Sequence, residues 1–348
     1  MELLTVIMPT YNSAKWVDAT IDNLSAQTYP HLELIVVDDG SQDGTVAAVR
    51  SKLSNGFRHP WRIIELADNS GPAAARNVGL RSSAGEWVQF LDSDDFMARE
   101  KLERQMRHCL SARANLCAVY SAWQRCYCDD GEIVREGDLA LPREPAQEPL
   151  MCLVGIDRPL LGAGIVRRSV LEAIGGFDET LRFWECEELF ARLAKAGRLE
   201  AVASSEPLYL WRMHRDKIYI GGETARYQSA PVALGWMNLI LQQSGGRSLG
   251  ELQLSSAERA ILLDDCTVWA RILYSRDRLA FRKFIAMARR LDPKIAPRHP
   301  RLTKFLSPLV GYEAAEGVAR LGRALGALKS KARNLLKLDR PGSTFDWK

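Results

Sequence analysis

No apolar stretch of this chain approaches the ~20 residues that a membrane-crossing helix needs. The N-terminal residues run straight into a strand-like segment with no signal peptide ahead of it, so a cytoplasmic protein is expected. A disulfide framework is excluded as well: the seven cysteines (Cys109, Cys117, Cys126, Cys128, Cys152, Cys186, Cys266) are odd in number and scattered. Cys126-x-Cys128 has no second pair at metal-ligand spacing, which leaves a β-hairpin as its setting. Pro9-Thr10-Tyr11-Asn12, after the first apolar run, is not the glycine-rich phosphate loop that a nucleotidyltransferase normally carries, which makes that class an alternative and not the first reading. Nucleic acid is not an expected partner, because basic residues are not interleaved with aromatics and no nucleic-acid motif occurs.

What the chain does have is bulk and alternation. Its 348 residues, 47% hydrophobic and 26% charged, suit a large α/β unit with an appendage. Apolar runs at Leu4–Met8, Leu32–Val37, Arg62–Leu66 and Trp87–Leu91 read as strands. Between them, helical spacing from Trp16 to Leu24, a segment from Thr45 to Leu53, and Gly71-Pro72-Ala73 opening a third helix predict βαβ units and a mostly parallel sheet. The net charge of +4 hides a tail: residues 301–340 carry nine basic and three acidic side chains.

The polar residues fall in one pattern. Thr10-Tyr11-Asn12 follows the first strand, Asp38-Asp39 the second, and Asp92-Ser93-Asp94-Asp95 the fourth. Ligands of open parallel sheets bind outside the carboxyl ends of the strands, so these loops are expected to form one site. Three carboxylates within four residues offer the hard oxygen donors that Mg²⁺ and Mn²⁺ prefer, the rest of the shell coming from a substrate's phosphates. Asp95 is expected to cap the next helix, placed at Phe96 to Leu110.

Val6-Ile7-Met8-Pro9-Thr10-Tyr11-Asn12, Val36-Val37-Asp38-Asp39-Gly40-Ser41-Gln42-Asp43-Gly44-Thr45, Gly71-Pro72-Ala73-Ala74-Ala75-Arg76-Asn77-Val78-Gly79 and Phe90-Leu91-Asp92-Ser93-Asp94-Asp95 resemble the signature blocks of family 2 inverting glycosyltransferases with the GT-A fold. The resemblance is strong over about residues 3–110, continues more loosely to His214 and stops beyond about 225. It implies a GT-A-like catalytic domain at 1–224, with a Rossmann-like nucleotide-sugar half at 1–110 and an acceptor half at 111–224, and a helical C-terminal region at 225–348.

By the same resemblance, Thr10, Tyr11, Asn12, Asp38, Asp39, Arg76, Asp92 and Arg212 bind the donor. Tyr11 offers a face for the base and Asp39 an acceptor for the ring N–H of uracil, which favours a UDP-sugar. Arg76 lines the nucleotide pocket, or else forms an ion pair with Asp92 or Glu86. Asp94 and His214 hold Mn²⁺ or Mg²⁺, which neutralises charge on the departing nucleoside diphosphate. The family's general base is an Asp at the start of a later helix, where this chain has Cys186. A thiol with a pKa near ~8.5 is a poor base, so Glu185 and Glu187 are equal candidates, and a nucleotide-sugar-binding protein without a base remains an alternative.

In the acceptor half, Asn115–Trp123 and Glu132–Glu136 are expected to pair around Asp130-Gly131, with 142–149 an exposed loop over the site. Gly162-Ala163-Gly164 is expected to leave room for a hexose. The chain lacks the Gln-x-x-Arg-Trp pattern of processive synthases, so one sugar per encounter is expected. Helices are predicted at Val232–Gln243, Ser256–Tyr274, Leu279–Leu291 and Glu313–Leu338. The last, basic and amphipathic, suits either an anionic membrane surface or packing on protein; a glycan or lipid-linked acceptor is the expected partner.

Overall fold

The computed structural model describes residues 2–111, 115–129, 132–141, 149–154, 159–181, 183–213 and 230–293. Strands β1 (Leu4–Thr10), β2 (Leu32–Asp38), β3 (Trp61–Glu65) and β4 (Trp87–Phe90) are linked by helices α1 (Val17–Ser25), α2 (Thr45–Ser54) and α3 (Pro72–Ser82). All four strands are parallel, with β1 between β2 and β4. Every residue of β2 and β4 is buried, as a parallel sheet covered on both faces requires. Pro72 sits in the first turn of α3, where its missing N–H costs nothing.

The sequence expectation of a helix from Phe96 is corrected. Phe96–Met97 is a short strand, β5, and helix α4 begins at Lys101 and ends at Ser111. Leu116–Ser121 forms β6, while Trp123–Asp129 forms β7 and pairs with β8 (Glu132–Ala140) across Asp130-Gly131. The apolar run at 115–123, expected as one hairpin arm, is therefore split between two sheets. After β9 (Gly164–Arg167), helices α5 (Arg168–Ala173) and α6 (Glu185–Ala196) lead to β10 (Arg198–Val202) and β11 (Tyr209–Arg212).

The main sheet has the order β10-β6-β9-β4-β1-β2-β3, and the second sheet β5-β11-β7-β8. β9 is antiparallel to both its neighbours, which makes the sheet mixed rather than purely parallel. β5, just beyond β4, pairs antiparallel with β11 in the second sheet. The core of the first unit is built on Leu4, Val6, Met8, Leu34, Val36, Trp87 and Leu91.

Helices α7 (Ala230–Ser244), α8 (Ser256–Arg276) and α9 (Arg278–Leu291) fall within two residues of the sequence reading. Ser255 and Glu258 close a capping box at the start of α8. Trp236, Phe281 and Phe284 form a second core with Leu150, Met151, Leu153 and Val154 of a 3₁₀ segment, and Trp236 Nε1 donates to the Leu153 carbonyl at 2.8 Å. No described helix is long and apolar enough to cross a membrane. Of the loop expected at 142–149, Pro149 instead opens the 3₁₀ segment; its other residues, His214 and the basic helix expected at 313–338 lie outside the described residues.

Candidate active site

The loops after β1, β2 and β4 meet at one sheet edge and are tied together by hydrogen bonds. Asn12, in the left-handed conformation (φ 47°), donates its N–H to Ser41 Oγ and accepts from the Gln42 N–H, each at 2.9 Å. Ser93 Oγ donates to Ser13 Oγ at 2.8 Å, and Thr20 Oγ1 donates to the carbonyls of Ser93 and Asp95. Gly40 (φ 75°) turns the second loop tightly: a Cβ there would lie 3.1 Å from the Asn69 nitrogen.

The expected donor-binding residues divide into those facing outward and those turned into the fold. Tyr11 is 50% exposed, available as a stacking face. Thr10 and Asp38, expected to meet the donor, instead face one another: Thr10 Oγ1 donates to Asp38 Oδ1 at 2.9 Å, and Ser41 donates to Asp38 from both its N–H and its hydroxyl. Both are buried and brace the site from beneath. Asp39 accepts from the N–H groups of Ser70 at 2.7 Å and Gly71 at 2.8 Å, one on each oxygen, so it fixes the entry to α3. A ring N–H would share an oxygen with one of these donors.

Arg76 is the hub. Almost wholly buried, its guanidinium reaches Asp92 Oδ1 at 2.8 Å, Glu185 Oε1 at 3.3 Å and Cys186 Sγ at 3.8 Å, and lies 5.6 Å from the centre of the Phe177 ring. Burial pulls its pKa down, but Asp92 and the acidic groups beside it more than offset this and hold it above its ordinary value. The ion pair with Asp92 is thus present, buried on the Arg76 side and half-exposed on the Asp92 side; Glu86 is paired with Arg167 at 3.0 Å. Burial, then the charge of Glu185, raises the Cys186 thiol well above its usual range, so it remains protonated and is no base. Glu188 is bound to Arg192 at 2.7 Å.

Asp95 does not cap a helix. Its oxygens accept from Tyr209 OH at 2.5 Å and from the Arg212 backbone N–H at 2.7 Å, fastening the acidic loop to β11. Burial first, then the charges of Asp94 and Asp92, push its carboxyl well above the usual range. The Arg212 guanidinium sits 4.6 Å from the Trp16 ring and 5.1 Å from Phe96, and its buried Nη1 has no hydrogen-bond partner among the described residues. The roles of Trp16, Phe96 and Tyr209 were not foreseen from sequence; their aromatic character alone signalled core.

Gly162 does not open a sugar pocket. A Cβ there would lie 2.0 Å from the Tyr209 ring, and Ala163 is fully buried, so these small residues admit Tyr209. No three His, Cys, Asp or Glu side chains among the described residues converge to cage a metal. The donor set fits an ion that completes its shell from a ligand: Asp94 and the half-exposed Asp92 share one loop, Asp95 being turned inward, and the orphaned Arg212 Nη1 lies near the same loop for an anion.

Residues 5–141 match the model of Glycosyl transferase family 2. An uncharacterized glycosyltransferase of Haemophilus influenzae is 39% identical over 110 residues, which span 32% of this chain and 43% of that protein. Residues 1–349 of Staphylococcus aureus TarS superpose with a TM-score of 0.61 at 20% identity, covering 92% of each chain, and that fragment has also been solved with UDP-GlcNAc. In sequence, 109 residues are 39% identical to TarS, a poly(ribitol-phosphate) beta-N-acetylglucosaminyltransferase, over 30% of this chain and 18% of TarS. The mannosyltransferase PcManGT of Pyrobaculum calidifontis, solved with GDP-Man and Mn²⁺, superposes with a TM-score of 0.53 at 20% identity over 91% of this chain and 86% of that one. The signature blocks fall within residues 5–141, the part that matches the family 2 glycosyltransferase model, and the chain shares the GT-A fold of these structures.

Proposed function

We propose that this chain transfers a sugar, with inversion, from a nucleoside diphosphate donor to a hydroxyl of a glycan or lipid-linked acceptor, one sugar per encounter, in cell-surface polysaccharide assembly. The observation that carries this reading is the buried Arg76, which joins Asp92 of the donor loop to Glu185 at the start of α6. One cation thereby sets the spacing between the carboxylate loop of the donor side and the helix that bears the family's base position.

The donor's base stacks on Tyr11 while Asp39 accepts its ring N–H, and a UDP-sugar is favoured. The UDP-GlcNAc complex of TarS supports that preference, and the GDP-Man complex of PcManGT is the reason to test guanine as well. Asp94, with His214 as the resemblance implies, would hold Mn²⁺ or Mg²⁺, whose Lewis acidity stabilises a departing diphosphate. Arg212, its guanidinium pinned on Trp16 and Phe96, offers N–H donors to a phosphate oxygen. Arg76 holds Asp92 toward the ribose. Glu185 or Glu187 accepts the acceptor's hydroxyl proton as its oxygen attacks the anomeric carbon. The catalytic domain spans 1–224 and the helical region 225–348, whose basic tail at 301–340 meets the inner face of the cell membrane.

Calorimetric titration with UDP, dTDP and GDP, each with and without Mn²⁺, tests this on the wild type and on Asp94→Ala. Metal-dependent binding of one nucleotide, lost in the variant, is expected. Binding of none would overturn the donor site. Binding without any release of diphosphate, whatever acceptor is offered, would favour the second reading, a nucleotide-sugar-binding protein, which Cys186 in the base position keeps in view.

A further inference from the structure

We propose that Trp184 is a positioning residue through which the C-terminal helices hold the start of α6, and with it Glu185, in register with Arg76 and Asp92. Trp184 immediately precedes α6 in a left-handed conformation (φ 70°, ψ 12°), unusual for a bulky side chain and held only where the surroundings enforce it. No side chain caps this helix. The Trp184 carbonyl accepts the Glu188 N–H at 2.9 Å, so the backbone conformation of Trp184 sets where the first turn begins.

What enforces it comes from far along the chain. The indole Nε1 donates to the Val232 carbonyl in α7 at 3.1 Å. Its ring meets Trp269 of α8 edge to face, with centroids 6.0 Å apart. Trp184 packs on the second core and so belongs to the helical region, while the next residue, Glu185, reaches Arg76 at 3.3 Å. One residue thus separates the helical core from the site. The catalytic part of the inference rests on the proposed transferase reading; the positional part does not.

The test uses the full-length chain and two readouts. The first is the iodoacetamide alkylation rate of each cysteine, mapped by mass spectrometry. Cys186 lies in the first turn of α6, 3.8 Å from Arg76 Nη1, while Cys109, buried in the first core, and Cys266, buried in the second core three residues before Trp269, report loosening of either core as a whole. Trp184→Gly, which accepts the left-handed backbone but removes the strut, and Trp269→Leu, which removes the ring it leans on, are both expected to speed alkylation of Cys186 about tenfold and leave Cys109 and Cys266 unchanged. Trp184→Phe, which keeps a ring, is expected to restore most of the protection. The second readout is UDP release from UDP-GlcNAc with acceptor: kcat is expected to fall about tenfold or more in Trp184→Gly with donor KM little changed. An unchanged Cys186 rate, or a rise shared by Cys109 and Cys266, overturns the proposal. If the wild type turns over no nucleotide sugar, the transferase reading falls, and the cysteine rates still decide whether Trp184 holds the helix.

Discussion

Arg76 answers two carboxylates with one side chain, and its removal should be felt in stability and in catalysis. Arg76→Met leaves Glu185 with its partner gone in a largely buried position, while Asp92, 46% exposed, is rescued in part by water. A loss of about 2–3 kcal/mol in urea unfolding is expected, below the full figure for a buried pair. Arg76→Lys keeps the charge without the fork and should recover part of the stability but little of the activity. Among the acids, Glu185→Gln or Glu187→Gln should lower kcat by a factor of about 10² or more, and Cys186→Ala by far less, because the thiol stays protonated. Equal, small effects at all three positions would mean that the base lies elsewhere. Much of this site was legible: the acid motifs, Arg76 and exposed Tyr11 stand where the chain order places them. What could not be read was partnership over distance. Arg76 and Glu185 are 109 positions apart, and nothing local distinguishes Asp38, turned in against Thr10, from a residue that faces ligand.

At the scale of elements, α4 buries a lysine. Lys101 is fully inaccessible and donates to the amide oxygens of Gln89 and, at 2.7 Å, Gln105, with no carboxylate among the described residues paired to its ammonium. Burial lowers its pKa well below the ordinary value, so the unfolded chain binds the extra proton more readily than the folded one. Its contribution to stability is therefore fully present above the ordinary value of about 10.4 and is lost as pH falls toward the depressed folded value. Lys101→Met removes this dependence: the wild type should gain urea midpoint relative to the variant as pH rises from 6 to 10. Gly162→Ala is expected to cost about 2–3 kcal/mol, since its methyl would enter the Tyr209 ring, which Asp95 holds in place. The βαβ run was readable because its strands are near-continuous apolar segments. β5 was not, since two residues make it and its partner, Tyr209–Leu210, arrives more than 100 residues later. Gly162 was misread for the same reason: the ring that fills its space comes from another sheet.

Among the described residues the C-terminal helices have a core of their own, separate from those on the faces of the main sheet, and it borrows residues from the preceding chain. Truncation after residue 229 would strip α7 to α9 from Leu150, Met151, Leu153 and Val154 and should give aggregated protein, visible by size-exclusion chromatography. Truncation after residue 300 keeps α9 intact and should leave the urea midpoint unchanged. If the basic tail meets membrane as proposed, that shorter chain will fail to pellet with phosphatidylglycerol vesicles that carry down the full-length protein. A full-length chain that stays in the supernatant removes the membrane from the proposal.

The place of β9 bears on how the chain is made. It lies between β4 and β6, yet it is translated after both, and in register it sets Trp87 beside Arg167 and Ala118 beside Val166. The outer edge of β4 therefore waits unpaired while some 70–80 further residues are added, a matter of seconds at the ribosome's pace of about 5–20 residues per second. During that interval the nascent βαβ units display a buried-type strand with nothing to zip against, and a chaperone, or a neighbouring nascent chain, can find it first.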